Sequence, residues 1–169
     1  MDDRRRKFEA QALPHLDAAF NLARWLAHSP AEAEDIVQDA MLRAFRGFNG
    51  FRGGDVRPWL LSIVRNCCRN ANAETRRHAH IPLPDEDWNA IAINDANPEM
   101  LAVQTSERRK VDEAIALLPK EFREVLILRE IEEMSYREIA EVTGAPIGTV
   151  MSRLARARRM LKEKMEGRA

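Results

Sequence analysis

Residues 135–161 read SYREIAEVTGAPIGTVMSRLARARRML, and this stretch decides the fold. Ser135, with a glutamate three residues later, has the capping-box signature of a helix N-terminus. A small residue at Ala140, a glycine able to adopt a positive φ at Gly144 and an apolar residue at Val150 follow at intervals of four and six. This spacing predicts a helix-turn-helix, because the two helices must cross closely around a tight turn.

The second helix of this motif has two different faces. Its inner face repeats apolar residues at helical spacing, namely Val150, Leu154, Ala157 and Leu161. Its outward face carries Ser152, Ala155, Arg156 and Arg159, with Gly148 near the start where a backbone can approach. Such a helix can enter the major groove and bind guanine through arginine. The alternative is a solvated basic face that complements the helix dipole, but the turn spacing favours DNA binding.

Outside this motif, nearly every periodic segment is also helical, so we predict an all-α protein of two small helical domains. Ser29 as N-cap, Pro30 in the first turn and Glu32 as the capping-box glutamate predict a helix of about 18 residues. The four glycines of segment 47–55 predict a loop, and Pro58 is expected to begin the next helix. In the second half of the chain we predict helices near 99–118, 119–133, 136–143 and 147–165.

The two domains are predicted at residues 1–78 and 107–169, with an acidic flexible linker at 79–106. Residues 79–108 carry six acidic residues and one basic residue, whereas 153–169 carry seven basic and two acidic residues. The net charge of zero is therefore a sum of unlike parts. The basic end predicts attraction to a polyanion.

Composition excludes several classes of protein. No apolar run approaches the roughly 20 residues that span a bilayer, so we expect a soluble, cytoplasmic protein. There is no glycine-rich phosphate loop and no nucleophile with an attendant base, so we do not expect an enzyme. Cys67 and Cys68 with His78 and His80 have poor spacing for zinc, and we expect neither a metal nor a cofactor.

The helix after Ser29 has an outer face that is typical of a protein interface. This face carries Asp35, Gln38, Asp39, Leu42 and Arg46. Leu42 is an apolar side chain among carboxylates, the arrangement of an anchor ringed by charges. A single exposed leucine is also common on ordinary surfaces.

The helix after Pro58 has an apolar side for the core and a second side suited to unpaired bases. That second side carries Trp59, Ser62, Arg65, Asn66, Arg69 and Asn70. Aromatic stacking and phosphate contacts together hold single strands. Ile63 lies on the same side, however, and the alternative is that Trp59 packs with Ile63 under the first helix.

Three stretches together resemble the sigma-70 family of bacterial sigma factors, in the extracytoplasmic-function group that keeps only regions 2 and 4. They are AEAEDIVQDAMLRAFRGFNGF (31–51), RPWLLSIVRN (57–66) and LPKEFREVLILREIEEMSYREIAEVTGAPIGTVMSRLARAR (118–158). The resemblance covers about residues 8–78 and 107–164. It implies a region 2-like helical bundle followed by a region 4-like helix-turn-helix.

The resemblance implies a function and roles for particular residues. The protein would bind core RNA polymerase, direct transcription initiation from promoter DNA and be controlled by an anti-sigma factor. The polymerase would bind Asp35, Gln38, Asp39, Leu42 and Arg46. Phe51, Arg52 and Asn66 would read the opened minus-10 strand, with Trp59, Arg65, Arg69 and Asn70 nearby. Gly148, Thr149, Ser152, Arg153, Arg156 and Arg159 would contact the minus-35 duplex.

Two residues depart from the family pattern on the minus-35 helix. Met151 stands where many members have Arg or Lys, and Ala155 replaces a position that is often larger. Two other functions remain as alternatives at this point: an autonomous helix-turn-helix regulator, which needs no polymerase, and a protein-interaction adaptor, which binds no nucleic acid. The exposed Leu42 and the separate strand-binding face favour the sigma factor over both.

Overall fold

The computed structural model describes residues 2–79 and 106–167, with side chains for 2–74 and 106–167. Every regular element in these two ranges is helical. The first range contains α1 (Asp2–Ala12), α2 (Leu16–Leu26), α3 (Pro30–Gly47) and α4 (Val56–Ala79), with short 3-10 turns at Leu13–His15 and Phe48–Gly50. The second contains α5 (Ser106–Ala116), α6 (Lys120–Leu126), a π-helical turn at Ile127–Ile131, α7 (Tyr136–Thr143) and α8 (Ile147–Glu166). The all-α prediction is confirmed for the described residues.

The helix α3 has the predicted length of 18 residues and begins where its cap requires. The Ser29 hydroxyl accepts a hydrogen bond from the Glu32 backbone N–H at 3.1 Å, and Pro30 occupies the first turn. The Glu32 carboxylate does not complete the expected capping box, because it accepts instead from the His28 backbone N–H at 2.9 Å. Burial opposes ionisation of Glu32, but the hydrogen bonds from His28 outweigh burial and lower its pKa.

The helix α4 begins at Val56, two residues earlier than Pro58 predicted. Asp55 explains the earlier start, since its carboxylate accepts a hydrogen bond from the Arg57 backbone N–H at 3.0 Å. Pro58 is tolerated in the first turn because the N–H groups there have no intrahelical partner.

The second domain confirms the predicted helix-turn-helix. Ser135 and Glu138 form a reciprocal capping box at the start of α7, and Gly144 ends that helix with φ of 71°. The predicted helix 119–133 is shorter than expected, because α6 passes into the π-helical turn and the backbone reverses at Glu133, where φ is 54°. The predicted start of the preceding helix at 99 lies outside the described residues, as does the predicted linker 79–106 apart from its end positions.

The two domains pack against each other and share apolar core. The helix α4 packs against α2 and α3 on one side and against α7 on another, and α2 also packs against α6. Buried residues of both domains join one cluster, including Leu61 and Val64 of α4 with Leu118, Val125 and Ile139 of the second domain. Removing this apolar surface from water stabilises the joined arrangement.

We expect Gly144→Ala to lower the free energy of unfolding by about 1–2 kcal/mol, because a side chain at positive φ clashes with its own backbone. Gly148→Ala is the matched control, since a Cβ at either glycine would meet no atom within 4 Å, and Gly148 lies in regular helix. The control should be neutral or stabilising by up to about 1 kcal/mol. Urea denaturation of the full chain measures both, and equal effects would contradict the strained-turn explanation.

Candidate nucleic-acid interface

The helix α8 divides as the sequence predicts. Val150, Leu154 and Ala157 are buried against the rest of the domain. Four residues face solvent on the opposite side, namely Ser152, Ala155, Arg156 and Arg159. Gly148 is also exposed, whereas Thr149 and Arg153 are half-buried. The helix packs on α5, α6 and α7 and leaves its outward face uncovered.

The arginines of α8 differ in how they are held. The Arg156 guanidinium lies 5.4 Å from the centre of the Phe122 ring, which restrains it by a cation–π contact. Arg158 donates to the Glu130 carboxylate at 2.7 Å. Arg153 and Arg159 form no ion pair among the side chains described for residues 2–74 and 106–167, and Arg159 faces solvent whereas Arg153 is half-buried. A helix of this kind suits a polyanionic surface.

The outer face of α3 is exposed as predicted. Asp35, Gln38, Asp39, Leu42 and Arg46 all face solvent. Leu42 has 55% of its surface exposed, in the middle of this polar face. Asp39 pairs with Arg43 at 3.1 Å along the same helix, where both side chains stay about half exposed. The face therefore presents an apolar side chain beside charges that water still screens.

The loop between α3 and α4 is organised by aromatic packing. Phe51 stacks on Phe48 with ring centres 6.2 Å apart, and its centre lies 5.1 Å from that of Trp59. Trp59 and Ile63 both pack against the small apolar cluster that includes Phe8 of α1. Trp59 therefore packs with Ile63 in this cluster while it stays half-exposed, and its ring also contacts Phe51.

An open groove of about 680 Å³ lies between α1 and this loop. Phe48, Phe51 and Gly53 line it from the loop, and Arg4 and Lys7 line it from α1, where Lys7 pairs with Asp3 at 3.4 Å. The carboxylate of Asp55 also lines the groove. Arg52 is exposed nearby. The aromatic wall is suited to stacking of an unstacked base, and the exposed Arg52 beside it is suited to a phosphate.

The polar side of α4 is not one continuous surface. Asn66 and Asn70 are exposed, whereas Arg65 is drawn into the contact between domains. The Arg65 guanidinium donates two hydrogen bonds to the Glu124 carboxylate of α6, at 2.8 and 3.0 Å. The side chains are 12% and 2% exposed. Arg65, which the sequence assigned to DNA, is therefore occupied by a protein carboxylate in this arrangement.

Other groups gather around this ion pair. Burial, together with the positive charges of nearby Arg69 and Arg65, lowers the pKa of Lys120. This places Arg69 beside the second domain as well, although it remains exposed. Arg123 donates to the Trp25 carbonyl of α2 at 2.7 Å. Buried charges of both signs therefore join the domains by directional hydrogen bonds.

A second polar contact joins the domains at the other end of their interface. Asn21 donates to the Glu132 carboxylate at 2.9 Å, and Arg57 donates to the Glu132 carbonyl at 3.0 Å. Arg57 also lies 3.6 Å from the Glu138 carboxylate. These bonds hold the segment after the π-helical turn against the first domain.

The sequence did not identify the interdomain residues, although it held one signal. Arg123 and Glu124 stand within FREVLIL (122–128), where the other five residues are apolar. Charged residues are almost never fully buried unless paired, so two charges within an apolar run point to buried partners elsewhere. Nothing in the local pattern indicates that Arg65 and Trp25 are those partners.

The two neighbouring cysteines lie on the inner side of α4. Cys67 and Cys68 are both buried, and the described residues hold no cluster of His, Cys, Asp or Glu with metal-site geometry. Burial raises the pKa of Cys67 to about 11, helped by the charge of Asp39, and that of Cys68 to about 12. The side chains of His78 and His80 lie outside the described residues. None of the described helices is both long and apolar enough to cross a membrane.

An outward cationic helix of a helix-turn-helix, joined to a helical domain with a separate aromatic groove, defines a DNA-binding protein with two recognition surfaces. Known families correspond to each half. The family model described as Sigma-70 region 2 matches residues 13–78, and that described as Sigma-70, region 4 matches residues 108–161.

Curated relatives match along most of the chain. The RNA polymerase sigma-H factor of Pseudomonas aeruginosa is 31% identical over 169 residues, covering 96% of this chain and 88% of that protein. The ECF RNA polymerase sigma-E factor of Escherichia coli K12 is 32% identical, with the match covering 80% of this chain and 74% of that protein. The ECF RNA polymerase sigma factor SigE of Mycolicibacterium smegmatis is 32% identical over 88% of this chain, which spans 58% of that relative's length.

Solved structures share the arrangement of both domains. The sigma factor RpoE of Bartonella quintana, solved in complex with the anti-sigma factor NepR, has a TM-score of 0.78 and 25% identity over 95% of this chain and 97% of that one. CnrH, solved with the cytosolic domain of CnrY, shares the fold with a TM-score of 0.70 and 23% identity, and the match covers 98% of this chain and 91% of CnrH. The chain belongs to the sigma-70 family of RNA polymerase sigma factors, in its extracytoplasmic-function group.

We expect Glu124→Gln to lower the free energy of unfolding by about 3 kcal/mol, because the change leaves the Arg65 guanidinium buried without a counter-charge. Glu130→Gln is the matched control, since Glu130 pairs with Arg158 at the surface, where both side chains are about half exposed. The Glu130→Gln variant should lower the free energy of unfolding by less than about 1 kcal/mol. Urea denaturation of the full chain compares the two, and a loss for Glu124→Gln no larger than the control's would show that this pair does not hold the interface.

Proposed function

We propose that this chain is a promoter-specificity subunit, which binds core RNA polymerase and directs transcription initiation by reading minus-10 and minus-35 elements. One observation carries the proposal: region 2 and region 4 occur in family order on one chain, each with its outward recognition face exposed. In this role the protein recognises promoter DNA and positions the polymerase on it, and it catalyses no reaction itself. We place its action in the cytoplasm, where the polymerase works.

The alternatives explain fewer of these features. An autonomous helix-turn-helix regulator has no use for the α3 face, on which Leu42 is exposed among charges. A protein-interaction adaptor has no use for the unpaired outward charges of Arg153 and Arg159. The sigma factor accounts for both surfaces.

The α3 face is the proposed polymerase contact. Leu42 serves as the apolar anchor, and the charged and polar residues around it set the register of docking. The face comprises Asp35, Gln38, Asp39, Leu42 and Arg46. This face remains open while the two domains are packed together, because α4 and α2, rather than α3, make the extensive contacts with the second domain.

The groove beside α1 is the proposed site for an unstacked minus-10 base. Phe51 offers a ring for stacking, and Arg52 is placed to meet a phosphate. Asn66 and Asn70 extend this surface along α4 with amides that can read base edges. Trp59 acts indirectly, since its ring holds Phe51 in place.

The outward face of α8 is the proposed minus-35 contact. The residues are Gly148, Thr149, Ser152, Arg153, Arg156 and Arg159. Arginine binds guanine bidentately in the major groove, and the glycine lets the backbone approach a phosphate. Because Arg156 rests on Phe122, its guanidinium is partly oriented before DNA arrives.

The packed arrangement supports control by an anti-sigma factor. RpoE of Bartonella quintana was solved with its anti-sigma factor, and its likeness to this chain extends over both domains. We propose that the packed form is one that an anti-sigma factor holds, and that separation of the domains releases Arg65 for the opened strand. The charge that pairs with Glu124 then becomes available to a phosphate.

Run-off transcription tests the function directly. Core RNA polymerase is incubated with a pool of genomic promoter fragments, with and without the full chain. We expect specific transcripts only when both proteins are present. Binding to duplex DNA without any additional transcript would favour the autonomous regulator. If the chain neither binds duplex DNA nor adds a transcript, the adaptor would be favoured.

We expect Leu42→Ala to weaken binding to core polymerase by about 1–3 kcal/mol, because truncation removes the anchor of the α3 face. Leu13→Ala is the matched control, since Leu13 is 49% exposed and lies outside this face. Fluorescence titration with labelled full chain measures both affinities, and circular dichroism checks that helicity is unchanged. Equal affinity of the two variants would remove α3 from the interface.

A further inference from the structure

The outward side of α8 carries an apolar stripe that the proposed function does not use. Ile147 has 42% of its surface exposed and Met151 has 51%. They are four residues apart, so their side chains are neighbours on one flank of the helix. Exposed Ala155 continues the line by one more turn. The stripe runs beside the polar residues proposed for minus-35 contact.

Packing within the domain does not explain this stripe. The inner face of α8 is already formed by Val150, Leu154 and Ala157, which are at most 1% exposed. Scattered exposed apolar residues need no explanation. Two large ones on adjacent turns of a recognition helix form instead a small contact surface.

The charges around the stripe indicate what covers it. Arg159 follows Ala155 by one helical turn on the exposed side of α8, and it has no ion-pair partner among the described residues. An anion attracted to Arg159 therefore meets the side of α8 that carries the apolar stripe. Duplex DNA supplies both complements, because phosphates border the major groove and thymine displays a C5-methyl group inside it.

We propose that Ile147 and Met151 read the C5-methyl groups of thymines in the minus-35 duplex. The inference rests on the proposed minus-35 role of α8 and deepens it. Thymine is the one standard base with a methyl group in the major groove, so apolar contact distinguishes it from cytosine without a hydrogen bond. The flexible Met151 side chain can adapt its contact to the groove.

The spacing of the two side chains predicts how the methyl groups are placed. Four residues of helix rise about 6 Å, and successive base pairs rise about 3.4 Å. Where α8 follows the groove, Ile147 and Met151 therefore reach positions one or two base pairs apart. The preferred minus-35 element should contain thymine at one or both of these positions, on either strand.

Replacing thymine by deoxyuridine tests the proposal, because it removes the methyl group and leaves the hydrogen-bonding edge intact. A preferred minus-35 duplex is first selected with the full chain from a random library. Each thymine is then replaced singly, and affinity is measured by fluorescence anisotropy. We expect about a fourfold loss at one or two positions, the effect of one buried methyl group.

Variants then connect that loss to the stripe. Met151→Ala should bind the thymine duplex about fourfold more weakly and should no longer distinguish thymine from deoxyuridine at its position. Met151→Leu should retain most of the distinction. Leu13→Ala, which changes an exposed leucine outside α8, should behave as wild type.

The outcomes separate this inference from the function on which it rests. If Arg156→Ala flattens the minus-35 preference while deoxyuridine changes nothing in the wild type, the minus-35 role stands and the methyl contact is wrong. If Ile147→Ala and Met151→Ala both keep the wild-type ratio between thymine and deoxyuridine, the stripe does not read methyl groups. If the wild type selects no sequence at all, both the minus-35 role and the methyl contact are overturned.

Discussion

The arrangement of the two domains depends on the ion pair between Arg65 of α4 and Glu124 of α6. A carboxylate that is 2% exposed requires a compensating partner, because burial of a lone charge is very unfavourable. The two parallel hydrogen bonds of a guanidinium satisfy the carboxylate only in one relative orientation. The surrounding apolar core stabilises contact between the domains, and this pair selects which contact they make.

That orientation determines which recognition surfaces remain open. The domains meet through α4 with α7 and through α2 with α6, so the outer face of α3 and the outward face of α8 stay exposed to solvent. The cationic side of α4 is only partly open, because Arg65 is held by Glu124 whereas Arg69 stays exposed. The packed form can thus present its proposed polymerase and minus-35 contacts while part of its proposed strand-binding surface is covered.

The two candidate DNA surfaces also differ in how they are prepared for binding. The loop after α3 depends on stacked rings, where Trp59 and Phe48 hold Phe51 at the edge of a groove. The α8 face depends on a rigid helix set by the left-handed turn at Gly144. One surface is suited to an unstacked base and the other to an intact groove, which is consistent with reading opened and duplex DNA by different domains.

The sequence by itself determined the helices, their caps and the two faces of α3 and α8. These features depend on residues within a few positions of one another: the Ser135 capping box, the positive φ at Gly144 and the helical spacing of Val150, Leu154 and Ala157 are all local. Even among these local features, two details differ from the prediction. The Glu32 carboxylate accepts a hydrogen bond from the His28 backbone N–H rather than from that of Ser29, and α4 begins after Asp55 rather than at Pro58. Tertiary structure alone decided that Trp59 supports Phe51 and that Arg65 meets Glu124, since the latter partners are 59 residues apart along the chain. A helical pattern shows which side chains share a face, but which neighbour covers that face depends on how distant helices pack.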